Sequence, residues 1–172
     1  MNFTTILNIR KSIRSYTGEC ISPEAMKNII HAANASPVGM AKYDSIHITI
    51  VKDKAVLSEL EANAAKIFNA QGHNFLYGAP QLIIISTSAT DNVGYSNAAI
   101  IAQDMALAAV DEGVGSCLIW GCIRALQSAP SLIQKLGIPT GFTPTCALTV
   151  GVTAENYEPR EIPENRISIN EI

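Results

Sequence analysis

The spacing of apolar positions changes several times along this chain, and each change predicts an element. In NFTTILNI, Phe3, Ile6 and Leu7 stand at helical spacing and predict a short first helix. SPEAMKNIIHAANAS is a clearer helix, with Ala25, Met26, Ile29, Ile30 and Ala33 in one apolar stripe. Ser22 is placed to cap it, Pro23 suits the first helical position, and Glu24 suits the positive end of the dipole. SPVGMA reads as a loop. The period then drops to two: Ile46, Ile48 and Ile50 alternate with Ser45, His47 and Thr49, the pattern of a half-buried strand. Helical spacing returns from Lys54 to Phe68. QLIIIST is a continuous apolar run rich in β-branched residues, which predicts a buried strand.

The strongest helical pattern runs from Ser96 to Glu112, with Gly113 as its C-terminal stop. Ala98, Ala99, Ala102, Ala106, Ala108 and Ala109 let neighbours approach closely on more than one face, so this helix is expected at the centre of the fold. Beyond it, SCLIW reads as a short extended piece and RALQSAPSLIQKLG as containing one further helix ending at Gly137. CALTVGV is another strand, and the tail NYEPREIPENRISINEI is polar and extended. Helices and strands without regular βα alternation favour the α+β class. The 172 residues show no internal repeat or linker and predict a single domain over 1–172.

Composition adds a partner to this picture. Apolar residues make up 48% of the chain and charged ones only 16%. So little charge predicts that a second copy covers part of the apolar surface. A net charge of −3 with no basic block argues against nucleic acid or an anionic membrane as partner. The longest apolar segment, AAIIAQDMALAAV, is too short to span a bilayer. Cys20, Cys117, Cys122 and Cys146 form no C-x-x-C pair, and MNFTTILNIRKS has no basic stretch ahead of an apolar one. Buried free thiols in a reducing cytoplasm are the expectation. His31, His47 and His73 lack metal-ligand spacing.

The candidate chemistry sits first in RKSIRSY, where three cations and two serines share seven residues. In an extended segment Arg10, Ser12 and Arg14 share one side; in a continued helix Arg10 and Arg14 align at i, i+4. Either geometry offers an oxyanion cradle of guanidinium forks and a hydroxyl. The plainer reading of these residues alone is a solvated basic patch at a helix end. GVGSCLIWG is a poor dinucleotide fingerprint, because Leu118 stands where the third glycine belongs and the stretch follows a helix. Trp120, the sole tryptophan, reads first as a core residue.

Taken together, five motifs in order resemble the flavin-dependent nitroreductase family: RKSIRSY, ASPVGM, GAPQLIIIS, SNAAIIAQDMALAAVDEGVGSCLIWG, and CALTVGV followed by Pro159 and Arg166. The resemblance implies a central, mostly antiparallel sheet flanked by helices, and an intertwined homodimer holding FMN at its interface. It places Arg10, Ser12 and Arg166 at the phosphate, Lys11 near the ribityl chain, and Arg14 at the pyrimidine edge of the ring. Pro37, Val38, Gly39 and Met40 match the loop that the partner lays against the ring. Leu118, Ile119, Trp120 and Gly121 match the segment whose backbone faces the flavin. Asn69 and Asn74 are both candidates for a further polar contact.

The chain also departs from the family pattern. AKYD follows the loop where N-x-Q-P-W is common, Val38 replaces a serine, Trp120 replaces an acidic residue, and Glu164 and Asn165 precede Arg166. The short chain implies a reduced lid and an open substrate side. The implied activity is transfer of two electrons from NADH or NADPH to a small acceptor such as a nitroaromatic or quinone. The flavin carries that chemistry, and no side chain acts as a nucleophile. Two rival readings are a flavin-binding protein without turnover, for storage or sensing, and a phosphate-ligand module without flavin.

Overall fold

The computed structural model describes residues 1–172. At its centre lies β2 (Gln81–Thr87), with every residue buried. It pairs antiparallel with β1 (Ile46–Val51) on one side and β4 (Thr143–Gly151) on the other. β3 (Gly115–Ile119) pairs antiparallel with β4, so the four-stranded sheet has the order β1-β2-β4-β3 and is antiparallel throughout.

The period of two divides the apolar run of β2 between two layers. Ile83 and Ile85 join Cys146, Leu148 and Val150 against α2 (Pro23–Ala35) and α4 (Asn92–Asp111). Leu82 and Ile84 join Ala147 on the other face, against α3 (Lys54–Ile67), α5 (Gly121–Leu126) and α6 (Pro130–Lys135). Both faces are covered, and that is why the run cannot alternate. β1 lies at the edge: Ile46 and Ile48 pack on the first layer, while Ile50 is exposed.

Several expectations need correction. In α1 (Phe3–Ile9) the buried positions are Ile6 and Ile9, packed on Val110; Phe3 and Leu7 are exposed. A two-turn helix touching one neighbour buries only a narrow line. α4 begins at Asn92, four residues before Ser96, because Asp91 caps it by accepting the Gly94 N–H at 2.8 Å. A Cβ at Gly94 would stand 1.8 Å from the Ala89 carbonyl oxygen, so this first turn needs a glycine to pass the preceding loop. The further helix is two. α5 ends at Leu126, and Pro130 forces Ala129 out of the helical region before α6 starts. Cys117, Cys122 and Cys146 are buried, but Cys20 is exposed. Burial pushes the Cys122 and Cys146 thiols up to about 12.

As expected, α4 is the central helix: it packs against α1, α2, β2, β3 and β4, with Ala98, Ala102 and Ala109 fully buried. No helix is long and apolar enough to cross a membrane. The ladder between β2 and β4 shifts register at Ile85/Ser86, where Ile85 pairs with Cys146 and Ser86 with Pro144. Thr145 is the extra residue of this bulge, which accommodates a proline that lacks a ladder donor.

Candidate functional site

The cationic run is extended. Arg10 ends α1 with φ −56° and ψ 125°, its N–H donating to the Ile6 carbonyl at 2.9 Å. The helical alternative for Arg10 and Arg14 is thereby removed. The next residues are bolted to the sheet. Ile13, fully buried, donates its N–H to the Ser116 carbonyl at 2.9 Å; Thr17 donates to Val152 at 2.9 Å, and Val152 donates to Glu19 at 3.0 Å. The Tyr16 hydroxyl bonds the Thr149 hydroxyl at 2.8 Å. Buried among these strands, Tyr16 has its pKa pushed well up by desolvation.

Arg10, Lys11 and Ser12 border a cavity of about 220 Å³ with Gln103 of α4 and Ser116 and Leu118 of β3. Arg14 does not share it. Its guanidinium stands over the Tyr77 ring, 5.7 Å from the centroid, in cation–π geometry. The expected one-sided trio is therefore two stations: a cavity pair with Lys11 between, and Arg14 apart. Lys11 is paired with Glu155, Nζ to Oε2 at 3.0 Å, while Glu155 Oε1 accepts the Arg14 N–H at 3.4 Å. The Lys11 bond holds the Glu155 carboxyl below its usual range. Thr153 completes this staple: its hydroxyl donates to the Ser15 carbonyl at 2.8 Å and accepts the Glu155 N–H at 3.0 Å.

Pro37 to Met40 lie on the N-terminal half of α4. Val38 is buried, and the Gly39 N–H donates to Asn97 Oδ1 at 3.1 Å. A Cβ on Gly39 would stand 2.9 Å from Val93 Cγ1, so the glycine serves close approach. Met40 projects, 77% exposed, at φ +57°. Asn97 beneath the loop and Ala106 beside the cationic cavity lie about 14 Å apart along the helix at 1.5 Å per residue. This loop borders no part of its own chain's cationic cavity.

The segment from Leu118 to Gly121 crosses from β3 into α5. Ile119 is buried, but Trp120 is 53% exposed, which corrects the reading of it as core. Leu118 borders the cationic cavity; Trp120 and Gly121 border a larger cleft of about 830 Å³, walled by Phe68, Phe75, Tyr95, Arg124, Gln127 and Thr145. One four-residue segment thus contributes to the wall of a cationic cavity and to the wall of an aromatic cleft. Arg166 stands in the exposed tail and is not part of the cavity wall. Asn74 Oδ1 accepts the Gly78 N–H at 3.0 Å, and Asn69 is exposed at φ +50°; neither borders either space.

Sequence reasoning did not find Gln103, Ser116, Tyr77, Glu155, Tyr95, Arg124 or Thr145. Gln103 and Ser116 lie inside the fourth motif without a signal of their own, and the others lie outside all five. The one available signal was the bulge at Thr145, foreshadowed by Pro144 inside a β run.

The model of the family described as "Nitroreductase family" matches residues 7–152. An "FMN reductase (NADPH)" of Bacillus subtilis (strain 168) is 29% identical over 163 residues, 86% of this chain and 64% of the relative. A "CR(VI) reductase" of Pseudomonas sp. (strain G-1) is 26% identical, covering 89% of this chain and 67% of the relative. The chain thus spans about two thirds of the length of these curated relatives. A nitroreductase with bound FMN from Desulfitobacterium hafniense superposes with a TM-score of 0.84 at 25% identity, covering 99% of this chain and all of the other. A Bacteroides fragilis nitroreductase with bound FMN superposes equally well at 23% identity, which bears on the fold. With the family match, the motifs and the antiparallel sheet in agreement, the chain belongs to the nitroreductase family.

Proposed function

We propose that the chain is an FMN-dependent oxidoreductase that works as a homodimer. It passes two electrons from NADPH or NADH to a small acceptor such as a nitroaromatic or a quinone. The observation that carries this reading is the cationic cavity at Leu118, where the segment begins that runs on through Trp120 and Gly121 to the aromatic cleft. An anionic group fits the cavity, and a flat aromatic molecule fits the cleft beyond the segment. The phosphate of FMN is such an anion, and the donors of the cavity fit it: a guanidinium, an ammonium, two hydroxyls and an amide around one small space.

FMN, when bound, supplies reversible two-electron chemistry. The chain's own residues bind and orient. Arg10 and Ser12 hold the phosphate, with Arg166 brought in from the tail. Lys11, steered by Glu155, faces the ribityl chain. Arg14, held over Tyr77, places a cation at the pyrimidine edge and favours negative charge there. Gly121 has no side chain, so the backbone between β3 and α5 is free to approach the ring face. Pro37, Val38, Gly39 and Met40 serve the partner's site, which accounts for a rigid loop with an exposed tip.

The dimer is supported by what the single chain leaves uncovered. Ile162, Ile167 and Ile169 are exposed in a tail with no helix or strand, and Ile100 is exposed on α4. The free cysteines motivate a cytoplasmic site. The test is the absorbance spectrum of purified protein before and after NADPH or NADH, under exclusion of oxygen. We expect a yellow protein, one FMN per chain, bleached on mixing. A colourless protein that FMN does not restore refutes the cofactor; a yellow protein that neither nucleotide bleaches leaves flavin binding without turnover. Sedimentation giving only monomer with FMN fully bound refutes the shared site.

A further inference from the structure

We infer that the aromatic cleft beside Trp120 is the acceptor site, and that Arg124 selects planar aromatic acceptors carrying a carboxylate. This inference rests on the flavin reading above. The cleft is shaped for a flat molecule. Phe68 and Phe75 stand 5.9 Å apart between ring centroids, with planes 33° apart, and His73 braces Phe75 edge-on at 4.5 Å. Trp120 and Tyr95 supply further aromatic surface, both exposed. At about 830 Å³ the space lies within the usual range for small-molecule sites, and Trp120 and Gly121 make it continuous with the segment assigned to the ring.

The polar groups of the cleft decide the charge of its ligand. Gln127 already donates to the Pro144 carbonyl at 2.7 Å, and Thr145, placed by the bulge, donates to the Thr143 carbonyl at 3.0 Å. Arg124 is the only charged residue in the wall. It takes part in none of the chain's four ion pairs, and its side chain has no hydrogen-bond partner. No carboxylate borders the cleft to neutralise it. A guanidinium fork with free donors above aromatic walls matches a planar carboxylate, two parallel N–H···O bonds with the ring stacked below. A neutral aromatic gains the stacking without those bonds.

The test uses FMN-saturated protein and two probes of similar shape, 4-nitrobenzoate and neutral 4-nitrobenzamide. Trp120 is the sole tryptophan, so its fluorescence reports occupancy of the cleft without turnover. We expect saturable quenching by both, with the benzoate bound about tenfold more tightly, as one solvent-reachable charge-assisted pair allows. Arg124→Gln should remove that preference by weakening the benzoate alone, and Arg124→Lys should restore part of it. With NADPH as donor the same variant should raise KM for the benzoate and leave kcat unchanged. Equal binding of the two probes by the wild type overturns the inference, as does equal weakening of both by Arg124→Gln. Release of FMN by the benzoate also overturns it, because the cleft would then be the ring's own seat. If neither nucleotide bleaches the flavin yet the quenching preference and its loss hold, the oxidoreductase reading fails while the carboxylate site stands.

Discussion

Two arginines assigned to one phosphate, Arg10 and Arg166, sit in opposite kinds of structure. The run around Arg10 is tied to its own chain at every turn: Ile13 to Ser116, Tyr16 to Thr149, Thr17 to Val152, Lys11 to Glu155. The tail around Arg166 is exposed from Glu158 onward, has no helix or strand, and is held by few bonds: Arg166 N–H to the Pro163 carbonyl at 3.4 Å, and Arg160 Nε to the Asn8 carbonyl at 3.3 Å. In the proposed site, the half around Arg10 is built by the single chain. The other carries exposed isoleucines and needs something outside its own chain to cover it. The difference separates the affinity a chain carries alone from the affinity it gains on assembly.

The sharpest way to break this comparison is to cut both regions at an apolar anchor. Ile13→Ala should cost about 2–4 kcal/mol of stability, because a fully buried side chain packed beside Gly115 of β3 leaves a cavity. Ile169→Ser should change monomer stability by less than about 0.5 kcal/mol, since the side chain is exposed, yet should weaken self-association. Denaturant titration and sedimentation read the two quantities separately. Equal loss of stability in both variants would mean that the tail packs on its own chain.

The next effect is on cofactor affinity. Arg10→Ala should weaken FMN by about ten- to hundredfold, the loss of one charge-assisted contact worth roughly 1.5–3 kcal/mol. Arg166→Ala should weaken it less, and its effect should shrink on diluting the protein until the dimer separates. Riboflavin, which lacks the phosphate, should bind the wild type far less well than FMN and should be indifferent to Arg10→Ala. An FMN dissociation constant unmoved by Arg10→Ala would make Arg10 a solvated cation.

A third comparison lies inside RKSIRSY itself, between Arg10 in the cavity and Arg14 over Tyr77. A cation about 4 Å from developing negative charge is worth roughly 4 kcal/mol at an effective dielectric near 20, and solvent reduces the usable part to about 2. At about 30 mV for each 1.4 kcal/mol, Arg14→Gln should lower the flavin midpoint by roughly 40 mV. Arg10→Ala should move it much less. A redox titration of both variants at saturating FMN that ranks them the other way would reverse the two assignments.

The smallest effect belongs to the staple. Lys11 depresses the Glu155 pKa in the folded chain, so this pair contributes stability above the usual carboxylate pKa of about 4.3 and loses it as pH falls through the lowered folded value. The pair is partly exposed, which limits it to under about 1 kcal/mol. Wild type and Glu155→Gln should therefore differ by a small constant at neutral pH and converge below about pH 4. A gap that widens as the solution is acidified would assign Lys11 a different partner.

Much of the scaffold was written in local pattern. QLIIIST reads as a strand covered on both faces, because Leu82, Ile83, Ile84 and Ile85 in succession give both faces apolar side chains; Ser22 and Pro23 announced α2, and the alanines of α4 announced close packing. The motif order was enough to find the family. Other features needed the fold. Whether Arg10 and Arg14 shared a side depended on the bond from Ile13 to Ser116, a partner 103 positions away, which stops the helix and holds the run extended. Trp120 read as core because its neighbours are apolar, and only the turn from β3 into α5 puts it outside. The staple of Glu155, the seat of Arg14 on Tyr77 and the unpaired fork of Arg124 join residues with no periodic relation to one another. Hydrophobic period and capping act over a few residues and are legible in order. Charge pairing and cavity shape depend on which surfaces meet in space, and those the tertiary structure alone decided.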